Sequence, residues 1–207
     1  MGFRVATRPG TAGDRSGEVY ELADAAGTVR AEVWPFAGFN CLRWQQLRLD
    51  GTWGDGLYVA PDWETNPVPT RSGHPVLWPF PNRLKAGELQ FGDRTIRLPL
   101  NDSAKANAIH GFAPRVPWRV TASGADATSA FVTGKLRLAT DVPDGKNVWP
   151  GDGTLTLTYR LTATTLRVEA VVENAGPEAL PFGLGYHPYF RLPVDPAARA
   201  DEMVLTT

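Results

Sequence analysis

One cysteine, two methionines and three histidines are all that this 207-residue chain offers of the side chains that cross-link, bind soft metals or titrate near neutrality. Cys41 alone excludes an intrachain disulfide and any multi-cysteine metal site, and it suits a reducing compartment. No stretch approaches the roughly 20 apolar residues of a membrane span. The first residues, Met1 to Ala6, lack the apolar run of a signal peptide. A cytoplasmic location away from membranes is therefore expected. Charge of one sign is missing too: 21 Lys and Arg stand against 22 Asp and Glu, scattered without runs. That leaves no electrostatic footprint for nucleic acid or an anionic membrane, so neither is expected as a partner. Helical signals are nearly absent. The best, Pro196 to Met203 with Ala197, Ala198 and Ala200, is too short to matter much. There is no repeat of fixed period, which argues against a solenoid or propeller.

What is present is alternation. The chain is 43% hydrophobic with seven Trp, enough to bury a core in one domain. Leu155, Leu157, Tyr159 and Leu161 alternate with Thr and Arg. After a Thr-rich turn, Leu166, Val168, Ala170 and Val172 alternate with Arg167, Glu169 and Glu173. This predicts a hairpin of two half-buried strands. Leu89 and Phe91, then Gly92-Asp93, then Ile96, Leu98 and Leu100 predict a second, with Gly92 supplying the positive φ of the turn. Val29, Ala31 and Val33 form a third period-two run, and Leu136 with Leu138 a weaker fourth. Eighteen Pro and twenty-one Gly punctuate short strands and long connections such as Gly54 to Pro81. The pattern predicts an all-β fold, a mostly antiparallel β-sandwich spanning 1–207.

Three segments carry chemistry. In Phe182-Gly-Leu-Gly-Tyr-His-Pro-Tyr-Phe-Arg-Leu-Pro193, His187 sits among aromatic rings. An imidazole there is a proton donor or acceptor near pH 7, unless it is simply a packed structural histidine. Asn107-Ala-Ile-His110-Gly-Phe112 repeats the chemistry, and Pro75-Val-Leu-Trp-Pro-Phe-Pro-Asn82-Arg83 precedes both. In their order and wide spacing these segments resemble the aldose 1-epimerase, or galactose mutarotase-like, family, from about Trp34 onward. The resemblance implies a β-supersandwich and a cofactor-free, metal-free isomerase of small-molecule sugars. It implies that His187 is the general acid at the ring oxygen. It implies that His110 hydrogen-bonds the same region and that Arg83 holds sugar hydroxyls. Asn82 and Asn107 are weaker substrate-binding candidates, since asparagine also favours turns for conformational reasons. Trp78, Phe80, Tyr189 and Phe190 either wall a pocket or belong to the core. His74 falls outside the motif positions and reads as a surface or loop residue.

The family's catalytic glutamate lies well beyond its second histidine, and no residue here matches that position. Glu88, Asp102, Asp152, Glu173 and Asp195 read as solvated carboxylates, so the general base is expected to be absent from this chain. Met203 to Thr207 reads as the beginning of a strand, and the domain as C-terminally incomplete relative to the family. The expected function is interconversion of α and β anomers of a free hexose, with the competence of this short chain in question. A non-catalytic carbohydrate-binding sandwich and a hexose-6-phosphate mutarotase are the alternatives. Oligomeric state is not legible in the sequence.

Overall fold

The computed structural model describes residues 2–193, 197–204 and 206. Two antiparallel sheets dominate it. The first has five strands in sequence order: β1 (Phe3–Ala12), β2 (Arg15–Asp24), β3 (Val29–Trp34), β4 (Asn40–Leu47) and β5 (Trp53–Asp55). A run of short pieces follows: β6 (Val76–Leu77), β7 (Arg83–Lys85), the hairpin β8 (Glu88–Phe91) and β9 (Arg94–Arg97), and β10 (Asn107–Ile109). The second large sheet is β11 (Arg119–Ala125), β12 (Ala130–Arg137), β13 (Gly153–Leu161) and β14 (Leu166–Asn174), again in sequence order. Between β12 and β13 lie two single-turn helices, α1 (Leu138–Asp141) and α2 (Gly145–Val148). The last strand, β15 (Gly185–Tyr186), returns to pair with β6.

The expected hairpins form where the alternation placed them. β13 and β14 pair from Gly153↔Asn174 to Leu161↔Leu166. β8 and β9 close around Gly92 at φ 61°, but β9 ends at Arg97, so Leu98 and the exposed Leu100 lie beyond the strand expected to include them. β3 turns Val29, Ala31 and Val33 inward against Leu136, Leu155 and Leu157 of the opposite sheet, in one buried cluster. Antiparallel sheets facing each other across a shared apolar layer are the physical content of a sandwich. At its centre Phe39 stacks on Trp118 (5.3 Å between centroids, 14° between planes) and leans on Tyr159. β12 passes this ring as glycine: a Cβ on Gly134 would lie 2.5 Å from Phe39 Cε2.

Four further expectations are corrected. β14 is an edge strand that, among the described strands, pairs only with β13; Leu166, Val168 and Val172 pack on the core as expected, but Ala170 on the same face is exposed rather than half-buried. Leu136 lies in β12, but Leu138 opens α1, because the strand has run out of partners at Arg137↔Thr154. Of the expected helix, only a 3-10 turn at Ala200–Glu202 is present, with Pro196 outside the described residues. Met203 and Val204 carry no strand; Leu205 and Thr207 lie outside the described residues.

Candidate active site

Short ladders bring the three motif segments together. β7 pairs β10 with Arg83 opposite Ile109, which sets Asn82 opposite His110. Those two residues then bond reciprocally. The His110 N–H donates to the Asn82 carbonyl (2.9 Å), and the Asn82 N–H donates to His110 Nδ1 (3.2 Å). Both take left-handed backbone conformations, φ 64° at His110 and 56° at Asn82. Asparagine and histidine are among the few L-residues that tolerate this region. Gly111 follows at φ 64°, where a Cβ would lie 2.2 Å from the Trp78 carbonyl oxygen. That oxygen accepts the N–H groups of Phe112 and Ala113, pinning the loop to the core.

The second histidine arrives on the β15–β6 ladder. Tyr186 pairs with Val76, the His187 N–H donates to the Pro75 carbonyl (3.0 Å), and the Tyr189 N–H donates to that of Gly73 (2.9 Å). Side chains two apart on an extended segment share a face. Accordingly the Tyr189 ring stacks on the His187 imidazole at 4.8 Å and 17°, while its hydroxyl donates to the Thr70 carbonyl. The His187 ring also meets His110, edge to face, with ring centroids 5.7 Å apart and planes at 84°.

The electrostatics divide the pair. With Nδ1 accepting the Asn82 N–H, the neutral His110 ring carries its proton on Nε2. Partial burial, reinforced by His187, Arg115 and Arg83, lowers its pKa to about 4. His110 is thus a neutral donor at physiological pH, a hydrogen-bonding group and not an acid.

Arg83 is half exposed. It donates weakly to Asn82 Oδ1 (3.4 Å) and stands 3.9 Å from Asp102 Oδ2, so most of its fork remains free. Asn107, by contrast, is committed. Its amide donates to Asp102 Oδ2 (2.7 Å) and its N–H to Oδ1 (3.1 Å). Asp102 is buried, which corrects its reading as a solvated carboxylate. The Asn107 amide first, then the N–H groups of Ala106 and Asn107 and the Arg83 charge, hold its carboxyl below the ordinary range. An acceptor so satisfied is a poor base. Asp152 is likewise not free, gripping Arg137 (2.6 Å) and the Ala139 N–H. Glu88 and Glu173 lie on the surface beside Arg97 and Lys135. Asp195 lies outside the described residues. Among the described residues no carboxylate hydrogen-bonds or ion-pairs with either imidazole, and no three His, Cys, Asp or Glu side chains gather as a metal site.

His74 is the residue the sequence misplaces. It is largely buried, its Nδ1 is 2.9 Å from the Tyr159 hydroxyl, and its ring stacks on Tyr186 at 5.0 Å. Burial lowers its pKa to about 4. It braces the strand that carries His187 against the core, a role no local pattern signals. Trp78 and Phe80 belong to the core, and Phe190 is half exposed.

Residues 55–206 match the family model described as aldose 1-epimerase, nearly three-quarters of the chain and all three motif segments. The chain belongs to the aldose 1-epimerase family. This epimerase-family chain is 31% identical over 140 residues to the Escherichia coli protein YihR, and 28% over 151 residues to YphB of the same organism. Those matches cover 61% and 73% of the chain but 42% and 47% of the relatives, so it spans about half the length of the curated relatives it matches. Among solved structures, a galactose mutarotase-like protein of Clostridium acetobutylicum superposes with TM-score 0.77 at 24% identity, over 94% of this chain and 56% of its own. A galactose 1-epimerase of Lactobacillus acidophilus gives 0.67 at 22% identity, over 91% and 53%. At such identity these structures establish the shared fold of the epimerase-family sandwich. Among the described residues no helix is long and apolar enough to cross a membrane.

Proposed function

We propose that the chain binds the reducing end of a free hexose at the His110–His187 pair and interconverts its α and β anomers by acid/base ring opening. The observation that carries this is the pair itself: two imidazoles 5.7 Å apart, one held neutral, with the Arg83 fork next to them. Anomer exchange requires the C1 hydroxyl to lose a proton while the ring oxygen gains one. Rotation about C1–C2 and reclosure then complete it. In the proposed cycle His187 delivers the proton to the ring oxygen, and His110 Nε2–H donates to the same region. Arg83 grips vicinal hydroxyls through its parallel donors. Each positioned proton transfer contributes on the order of 10²–10⁴ in rate. The activity would belong to a cytoplasmic protein of sugar metabolism.

The proton leaving the C1 hydroxyl needs a base, and among the described residues no carboxylate hydrogen-bonds or ion-pairs with the two imidazoles. That observation favours a second reading, a sandwich that binds sugar without turning it over. Polarimetry of freshly dissolved α-galactose and α-glucose separates the two. Mutarotation above the spontaneous rate, lost in His187→Ala, supports the enzyme. Saturable sugar binding with only the spontaneous rate supports the binding module. A folded chain that does neither rejects both.

A further inference from the structure

The strand that carries His187 continues into a second polar depression. Leu57 and Phe190 form an antiparallel bridge, in which the Tyr58 N–H donates to the Tyr189 carbonyl (2.8 Å) and the Arg191 N–H to that of Gly56 (3.1 Å). His187, Tyr189 and Arg191 therefore succeed one another on one face of an extended segment. At the Arg191 end lies a cavity of about 210 Å³, lined by Arg43, Gln45, Asp55, Tyr58 and Arg191. Its polar groups are built rather than scattered. Arg30 lies over the Trp53 ring (4.0 Å) and donates to Gln45 Oε1 (2.6 Å), and the Gln45 amide donates to Asp55 Oδ1. Arg43 is oriented by Glu32 (Nε to Oε2, 3.4 Å). Among the described residues the Arg191 guanidinium makes no hydrogen bond or ion pair.

We propose that this depression is a second sugar subsite, holding the non-reducing unit of a disaccharide whose reducing-end ring sits at the histidine pair. The inference rests on the proposed sugar site. Four residues of extended chain separate His187 from Arg191, roughly 13 Å. That is too far for one pyranose held by its ring oxygen and suited to the next ring along. The chemistry fits neutral hydroxyls: an oriented donor in Arg43, the uncommitted Arg191 guanidinium, a glutamine amide, a fixed acceptor in Asp55, and a tyrosine ring. A phosphate or sulfonate would meet the Asp55 carboxylate in the same depression.

Calorimetric titration of the whole chain with glucose, maltose, lactose, cellobiose and glucose 6-phosphate tests it. At least one of the three disaccharides, all with glucose at the reducing end, is expected to bind tenfold or more tightly than glucose. Arg191→Ala and Asp55→Asn should erase that increment to within twofold and leave glucose affinity unchanged, with circular dichroism confirming the fold. Glucose binding with no disaccharide increment overturns the subsite alone, as does an increment that survives both substitutions. A preference for glucose 6-phosphate over every disaccharide makes it an anion site and overturns it too. No binding of any sugar overturns the proposed function and the subsite together.

Discussion

The Tyr159 hydroxyl has one proton and two partners on His74. It donates to the His74 carbonyl (3.2 Å), so the 2.9 Å contact with Nδ1 places a proton on that nitrogen. His74 is then neutral and largely buried, and among the described residues no carboxylate hydrogen-bonds or ion-pairs with it. Its unfolded pKa is near 6.5 and its folded one about 4. Across that window the unfolded chain binds more protons, so stability rises with pH and is lost as pH falls from 6.5 toward 4. The loss attributable to His74 is at most about 3 kcal/mol, from 1.36 kcal/mol per unit. His110 acts in the same direction but is more exposed, and solvent screens its share. Urea unfolding at pH 7 and pH 4.5 measures the difference. His74→Phe should flatten it, while Tyr159 keeps the main-chain acceptor. An unchanged slope in the variant would show that His74 does not titrate as its burial requires.

Short elements place the site, and glycine decides whether they can. Gly92 and Gly111 share nearly the same positive φ, 61° and 64°, but an added Cβ meets nothing within 4 Å at Gly92 and the Trp78 carbonyl at Gly111. Gly92→Ala should therefore cost about 1 kcal/mol, the backbone strain alone. Gly111→Ala must also displace the loop that holds His110. We expect it to cost about 2 kcal/mol more and to weaken sugar binding, read by denaturation and sugar titration on both variants. Comparable losses at the two sites would show that the contact with Trp78 relaxes freely. The contrast explains what the sequence discloses. β13–β14 and β8–β9 were legible because each carries its own alternation and turn. The β1–β2 hairpin was not, since Thr7, Pro9 and Gly10 blur the period and only its full register with β2 makes it a strand. β6, β7, β10 and β15 are two or three residues long, too short for any period. There the family resemblance located His110 and His187, while the Asn82–His110 clasp and the His74–Tyr159 bond join residues 28 and 85 positions apart.

Across the whole molecule, the two large sheets differ in how they end. The five-stranded sheet's β1 lies against β11, with the Phe3 N–H bonded to the Asp126 carbonyl (2.8 Å), whereas β14 presents nine residues beyond which no described strand pairs. Arg167, Glu169 and Glu173 charge that edge, the usual defence against strand-to-strand association. Val171 interrupts the defence, 58% exposed, on the same strand as the partly covered Leu166, Val168 and Val172. An open edge with an apolar step at its middle favours antiparallel pairing with a second copy of itself. Such pairing would juxtapose like charges at several registers, so it should be weak and sensitive to salt. Sedimentation velocity from low to high micromolar protein should show a rising average mass, increased by added salt. Val171→Lys adds a charge where the edge lacks one and should return the chain to monomer without altering its stability by more than about 0.5 kcal/mol. Association that persists in Val171→Lys would move the contact to the exposed rings of Phe182 and Phe190, near the histidine strand. Saturating sugar would then be expected to change it, which edge pairing at β14 would not.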